Sequence, residues 1–441
     1  MDNRLIKNAS WIIACRIIQS LLSFVIVILS ARYLGPANYG LINYASSIVA
    51  FVIPIMQLGF RNTMVREFIN KPEDEGKVLG TALLMNFITA VLCMAGVITF
   101  VSFANRGETD TIIVCALYSI NLIFQALEMS QYWFQAKLLS KYTAVISVVA
   151  CAVVSVYKIY LLVTGKNIYW FAVSQALDYM LISVPLLIVY KIIGKQKISF
   201  SLSKGKELFS NSKHYIVSSM MVAIFGYIGN VFLKFLIDEE AVGFYTVAVT
   251  CGGMTSFVFA AIIDSARPAI LESKLKNPDT FNKKIIQLYS FIITLTILQG
   301  IGISLFAELI VKLLYGSEYL ASVVPLRIYT WQTVFSEIGI IRNIWILAEG
   351  KQKYLWIINL CGAVSSVILN FILIPTLGPV GAAISAVATQ LITNVFIGFV
   401  LKPIRENNAL LIKSLNIKVL IDIFSQYTKK INPSNNASDF K

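Results

Sequence analysis

The stretch Ala31-Arg32-Tyr33-Leu34-Gly35-Pro36-Ala37-Asn38-Tyr39-Gly40 hinges two hydrophobic spans that together occupy residues 8–60. The first, 8–33, is long enough to cross a bilayer, for which about 20 apolar residues suffice. Its polar residues are not scattered. Arg16, Gln19, Ser20, Ser23 and Ser30 fall at steps of 3, 4 and 7, so they share one helical face. In the second span Asn43, Ser47, Ala50, Pro54, Gln57 and Arg61 advance by 4, 3, 4, 3 and 4. Each helix therefore has an apolar back and a polar stripe. A stripe carrying arginine is costly against hydrocarbon and should face protein or water. The hairpin is expected to wall a hydrophilic cavity inside a membrane protein.

The bulk composition agrees. Of 441 residues, 57% are hydrophobic and 14% charged, with mean hydropathy +0.74. Soluble domains carry about 25% charged residues, so no soluble class fits. The N-terminal apolar run is too long for a cleavable signal, so it is expected to stay as a span. The net charge of +14 belongs to loops and gives no reason to expect nucleic acid. Six cysteines, at 15, 93, 115, 151, 251 and 361, lie in apolar spans without close pairing, as small core residues do. The only histidine, His214, stands at a helix start beside Lys213 and suits an interfacial place. No nucleotide-binding loop, metal-ligand cluster or Ser/His/Asp set occurs, which argues against an enzyme and against any cofactor or metal.

Further apolar runs at 78–104, 111–135, 143–164, 168–190, 214–237, 244–266, 285–311, 323–348, 355–376 and 382–401 bring the expected crossings to twelve. A basic stretch, 191–213, separates a six-helix lobe (1–190) from a second (214–401), and a polar tail follows (402–441). Loops on the side of the termini hold 28 lysines and arginines and the opposite turns hold four. Such asymmetry places both termini in the cytoplasm. The two lobes align weakly. Shifted by 203 residues, Gly40 meets Gly243, Ala45 meets Ala248, and Arg61 meets Asp264. Shifted by 212, Trp133 meets Trp345, and Lys141-Tyr142 meets Lys353-Tyr354. An even number of spans per lobe gives parallel repeats, with a central site expected between them.

The run Ala31-Arg32-Tyr33-Leu34-Gly35-Pro36-x-x-Tyr39-Gly40 resembles the polysaccharide flippase family that includes the O-antigen flippases. The ends Gln57-Leu58-Gly59 and Leu369-Asn370-x4-Pro375-x2-Gly378-x2-Gly381-Ala382-Ala383 are similar to it as well. The resemblance covers about residues 1–402. It implies the twelve-helix fold of multidrug and toxin extrusion transporters. It also implies movement of a lipid-pyrophosphate-linked oligosaccharide across a bacterial cytoplasmic membrane by alternating access. A typically cationic cavity is implied too, and Arg16 matches that by position.

The candidate substrate ligands are Arg16, Gln19, Ser23, Asn43, Gln57, Arg61, Lys158, Asn230 and Lys234. Cations suit a diphosphate, and amides and hydroxyls suit a glycan. Lys234 and Arg327 lie near outer helix ends, where snorkelling is the plainer account, whereas Lys158, further from its outer end, suits the cavity and snorkelling equally. Glu128, Asp178, Asp264 and Glu337 depart from a purely cationic cavity and are candidates for coupling to H+ or Na+, or for gating. Asp264 and Arg61, equivalent in the repeat, are expected to form an inner gate or merely to cap helix ends in interfacial water. Arg342 and Glu337, five apart on one span, should face different ways. Two other readings stand beside the flippase: an organic-cation antiporter of the same fold, and a non-transporting partner of a glycosyltransferase complex. The expected partners are the lipid-linked oligosaccharide, membrane lipids, and polymerase or glycosyltransferase proteins.

Overall fold

A computed structural model describes the backbone of residues 3–194 and 196–416, and the side chains from Cys15 onward except Arg16 and Asn62. No strand occurs among the described residues. The medium explains this: in hydrocarbon every backbone N–H and C=O must be satisfied within its own segment, which a helix achieves. Among the described residues eight helices are long and apolar enough to cross a membrane, or nine if residues 239–252 and 256–276 count as one bent span. The chain is a multi-pass membrane protein. It divides into two compact units, Met1–Thr246 with Lys312–Tyr319, and Val247–Val311 with Leu320–Lys441.

The first unit opens with α1 (Asn3–Met56), which is two helices joined at Gly35. Gly35 has φ 70° and ψ 171°, a region open essentially to glycine alone, and Pro36 starts the second helix with its φ already set. The hinge expected from the sequence is therefore a real break. Next come α2 (Phe60–Asn70), α3 (Glu75–Ala104) and an interrupted crossing of α4 (Thr109–Ser119), α5 (Asn121–Leu127) and α6 (Gln131–Ala136). The unit continues through α7 (Ser140–Val163), α8 (Ile168–Ile193), α9 (Leu202–Leu236) and the start of α10 (Glu239–Gly252). Helix α1 packs on α7 and α9, and α8 on α5 and α7.

Two glycines bring the second half of α1 onto α10. A Cβ on Gly40 would lie 1.8 Å from the Glu239 carbonyl oxygen, and one on Gly243 would lie 2.2 Å from that of Pro36. The two contacts are reciprocal: 36 to 239 and 40 to 243 are both offsets of 203, the register at which the sequence repeats. Nearby, Lys234 lies buried between Glu108 and Glu239, 2.8 Å from each. The Tyr319 hydroxyl donates to the Ala31 carbonyl at 2.7 Å, and Arg32 donates to that of Leu313 at 2.8 Å.

The polar loop read at 61–77 is largely helix, and the basic stretch 191–213 is stitched to it. Residues 196–201 run as a strap over the start of α3. The Ser199 N–H donates to the Gly76 carbonyl (3.1 Å), and that of Ser201 to the Thr81 hydroxyl (3.0 Å). Gly76 and Gly80 leave room for the strap, since a Cβ on either would strike its backbone. Beyond the strap, the Ser201 hydroxyl caps α9 by accepting from the Lys204 N–H. Lys204 itself is buried among Glu207 (2.9 Å), Glu67 (3.5 Å) and Asp74 (3.6 Å). An ammonium withdrawn from water needs such company.

The second unit holds the rest of α10, then α11 (Ser256–Lys276), α12 (Pro278–Leu314), α13 (Val323–Tyr329), α14 (Gln332–Ala348) and α15 (Leu355–Leu391). A π-turn at Ile392–Phe396 leads to α16 (Ile397–Val400), and α17 (Arg405–Ser414) closes the described chain. Its core includes Tyr289, Ile292, Ile341, Trp345 and Ile358. Helix α15 breaks at Gly378, again before a proline. Most of the expected tail lies outside the described residues.

Candidate functional site

In the first unit a cavity of about 410 Å³ opens between the first half of α1, the start of α2, and helices α6 and α7. Gln19 comes from α1, Arg61 from α2, Gln131 and Gln135 from α6, and Thr143 and Ser147 from α7. The sequence reading placed Gln19 and Arg61 in one site, and the fold brings them together. Ser23, one turn beyond Gln19, lies 3.7 Å from the Cys151 sulfur on α7. The contribution of α7 escaped the sequence reading. Its signal is the step of four in Thr143, Ser147, Cys151 and Ser155, small polar residues on one face of an otherwise apolar helix.

The crossing α4–α6 is interrupted where its polar residues lie. Glu128–Ser130 form a single tight turn between α5 and α6. Irregular backbone at membrane depth persists where it meets protein or a wet cavity, not lipid. Glu128 accepts a hydrogen bond from Gln131 of the cavity wall and lies within electrostatic reach of Asp178 on α8. Asp178 in turn feels Lys158 on α7. Three of the predicted charges, all half-buried, thus lie within electrostatic reach of one another in turn. Asn86 on α3 and Asn121 and Gln125 on α5 are buried with polar atoms that find no partner among the described residues.

Asn43 and Asn230 also converge. The Asn230 amide donates to the Ser47 hydroxyl at 2.9 Å, and Ser47 donates to the Asn43 carbonyl at 2.7 Å. The Asn43 side chain turns back to the Tyr39 carbonyl. Gln57 is half-buried in the turn after α1, where its carbonyl accepts the Phe60 N–H. The side chain of Arg16 lies outside the described residues. Lys234 neither snorkels nor stands free: Glu108 and Glu239 occupy its charge.

In the second unit Asp264 is exposed and bonded to Arg267, one turn along its own helix, at 2.9 Å. Glu337 is 2% exposed, and its Oε2 finds no partner among the described residues. Arg342 donates to the Thr393 carbonyl in the π-turn at 2.7 Å.

Amides, hydroxyls and a guanidinium lining a cavity inside broken apolar helices define a multi-pass membrane protein of transporter build. Solved structures agree on the fold. The chain is similar to the lipid II flippase MurJ in an inward closed conformation, with TM-score 0.72 and 16% identity over 93% of this chain and 92% of that one. It is also similar to an inward-facing multidrug resistance MATE family transporter of the MOP superfamily, with TM-score 0.66 and 15% identity over 90% and 96%. The chain belongs to the polysaccharide biosynthesis protein family, whose model matches residues 5–274. Its relatives include the capsular polysaccharide biosynthesis protein CapF of Staphylococcus aureus, 22% identical over 88% of this chain and 97% of that protein. The probable low-salt glycan biosynthesis flippase Agl15 of Haloferax volcanii is 23% identical over 82% and 76%. A putative O-antigen transporter of Escherichia coli is 22% identical over 86% and 92%.

Proposed function

We propose that the protein is a non-catalytic flippase. It carries a polyprenyl-diphosphate-linked oligosaccharide across the cytoplasmic membrane of a bacterium by alternating access. The observation that carries this reading is the cavity of Gln19, Arg61, Gln131, Gln135 and Ser147. Amides and hydroxyls offer a glycan paired donors and acceptors, and Arg61 offers the diphosphate a bidentate cation. Arg16, which the sequence puts on the same stripe as Gln19, is a second candidate cation. An organic-cation antiporter would want carboxylates at the cavity surface instead.

Twelve crossings follow if α1 is split at Gly35 and α15 at Gly378, with residues 239–276 and 317–348 taken as one crossing each. Both termini then lie in the cytoplasm with the basic loops. The reciprocal contacts of Gly40 and Gly243 support two parallel six-helix repeats. Energy enters through an ion, H+ or Na+, taken up at Glu128 and Asp178 or at Glu337. Polymerase and glycosyltransferase proteins act on either side of the transport step. Deleting the gene should trap the lipid-linked glycan in the inner leaflet. Wild-type protein should restore export, and Arg16→Ala or Glu128→Gln, inserted at normal levels, should not. Full export by both variants would contradict the site.

A further inference from the structure

Next to the main cavity lies a second one of about 380 Å³, lined by Arg61, Val65, Arg66, Ile69, Asn70 and Gln135. It shares Arg61 and Gln135 with the first, so the two adjoin at those side chains. Two guanidiniums five residues apart on α2, about 7.5 Å along the axis, bracket it. Neither forms an ion pair with a described acidic residue. The acid beside them in sequence does not quench them. Glu67 is 5% exposed and turned to Lys204 and Lys71 on the other face of the helix. Beside the arginines Ile69 is 60% exposed. The site thus offers anion-binding forks next to apolar surface, at an end of the first unit that the basic loops place in the cytoplasm.

We infer that this cavity on α2 is a docking site for a prenyl diphosphate head group, which Arg66, Asn70 and Arg61 hold before the glycan enters the adjoining cavity. Arg66 clamps the diphosphate, Ile69 meets the first isoprene units, and Arg61 is shared by the docked and admitted positions. The inference rests on the flippase reading for the nature of the ligand. An anionic phospholipid offers the same phosphate chemistry, and the test separates the two.

The experiment measures binding of farnesyl diphosphate to purified full-length protein in detergent. Arg66→Gln should weaken binding at least tenfold at unchanged melting temperature, and Arg66→Lys should retain part of it, since charge survives without the fork. Inorganic pyrophosphate should compete, and farnesol should not. Arg106→Gln, at a distant turn, should bind as wild type. Undiminished binding by Arg66→Gln would overturn the docking site. So would displacement of farnesyl diphosphate by equimolar phosphatidylglycerol, which would make the cavity a bilayer-lipid contact. If Arg66→Gln binds as wild type and the protein still flips lipid-linked oligosaccharide, only the docking site falls. If wild type neither binds nor flips, the flippase reading falls with it.

Discussion

Gly40 shows how little room one residue can leave. A methyl group there meets a backbone carbonyl at 1.8 Å, and backbone cannot rotate aside as a side chain can. Overpacking a tight contact costs about 1–3 kcal/mol, and the backbone neighbour puts this case at the upper end. Gly40→Ala and Gly243→Ala should therefore each lower the melting temperature and the yield of monodisperse protein in detergent. Gly96→Ala, in the interior of α3 with nothing within 4 Å, should leave both unchanged or slightly improved. Equal melting of all three variants would show that the crossing of α1 and α10 is loose. The sequence revealed the pairing of Gly40 with Gly243 only as a repeat register; that the two residues meet in space needed the fold. The same holds for Lys234. Its place near a helix end suggested snorkelling, because its partners Glu108 and Glu239 stand at the starts of other helices whose positions the sequence does not fix.

Among elements, the linkers carry more structure than their composition suggested. Polar stretches such as 61–77 and 191–213 look like loops because hydropathy detects burial in lipid, not pairing among charges. Lys204 is the clearest case. Breaking a buried ion pair costs about 3–5 kcal/mol. Lys71 still reaches Glu67 at 3.7 Å, and Glu207 is partly exposed, so about 2 kcal/mol is expected for Lys204→Met. Adding Glu67→Gln should recover part of the loss in a thermal melt. Additive losses would place Glu67 outside the node. At the opposite end of α9, the turn residue Glu108 reports on pH. Partial burial would raise its pKa, but hydrogen bonds from Lys234, Thr111 and Asn105 outweigh that and hold it below the ordinary 4.5. The stabilisation is thus fully present above about pH 4.5, the ordinary value, and disappears as the pH falls through the lowered native value. The melting temperature of wild type should therefore fall more steeply below pH 4.5 than that of Glu108→Gln. Parallel curves would mean that the Lys234 pair does not stabilise the fold. The apolar spans and their two Gly-Pro hinges were legible because period and length suffice for them. The breaks at Glu128 and at the π-turn were not, since each depends on what packs beside it.

For the whole molecule, the polar stripes of the first two spans, the second running into α2, made part of the candidate site legible from sequence. Gln19 and Arg61 meet in one cavity, while the walls from α6 and α7 became visible only once those helices were packed. Glu128, Asp178 and Lys158 were named residue by residue, but that they come within electrostatic reach of one another depends on three segments converging. The central claim is that this cavity carries a lipid-linked glycan through the membrane. The most direct measurement reconstitutes the purified protein into vesicles holding a fluorescent polyprenyl-diphosphate-linked oligosaccharide, and follows its exposure to a membrane-impermeant quencher with time. Wild-type protein should make nearly all the label accessible from one side, whereas protein-free vesicles should stop at the outer-leaflet half. Arg61→Ala should slow the approach at least tenfold. Vesicles containing wild-type protein that stop at the same half as empty ones, across imposed H+ and Na+ gradients, would contradict the account.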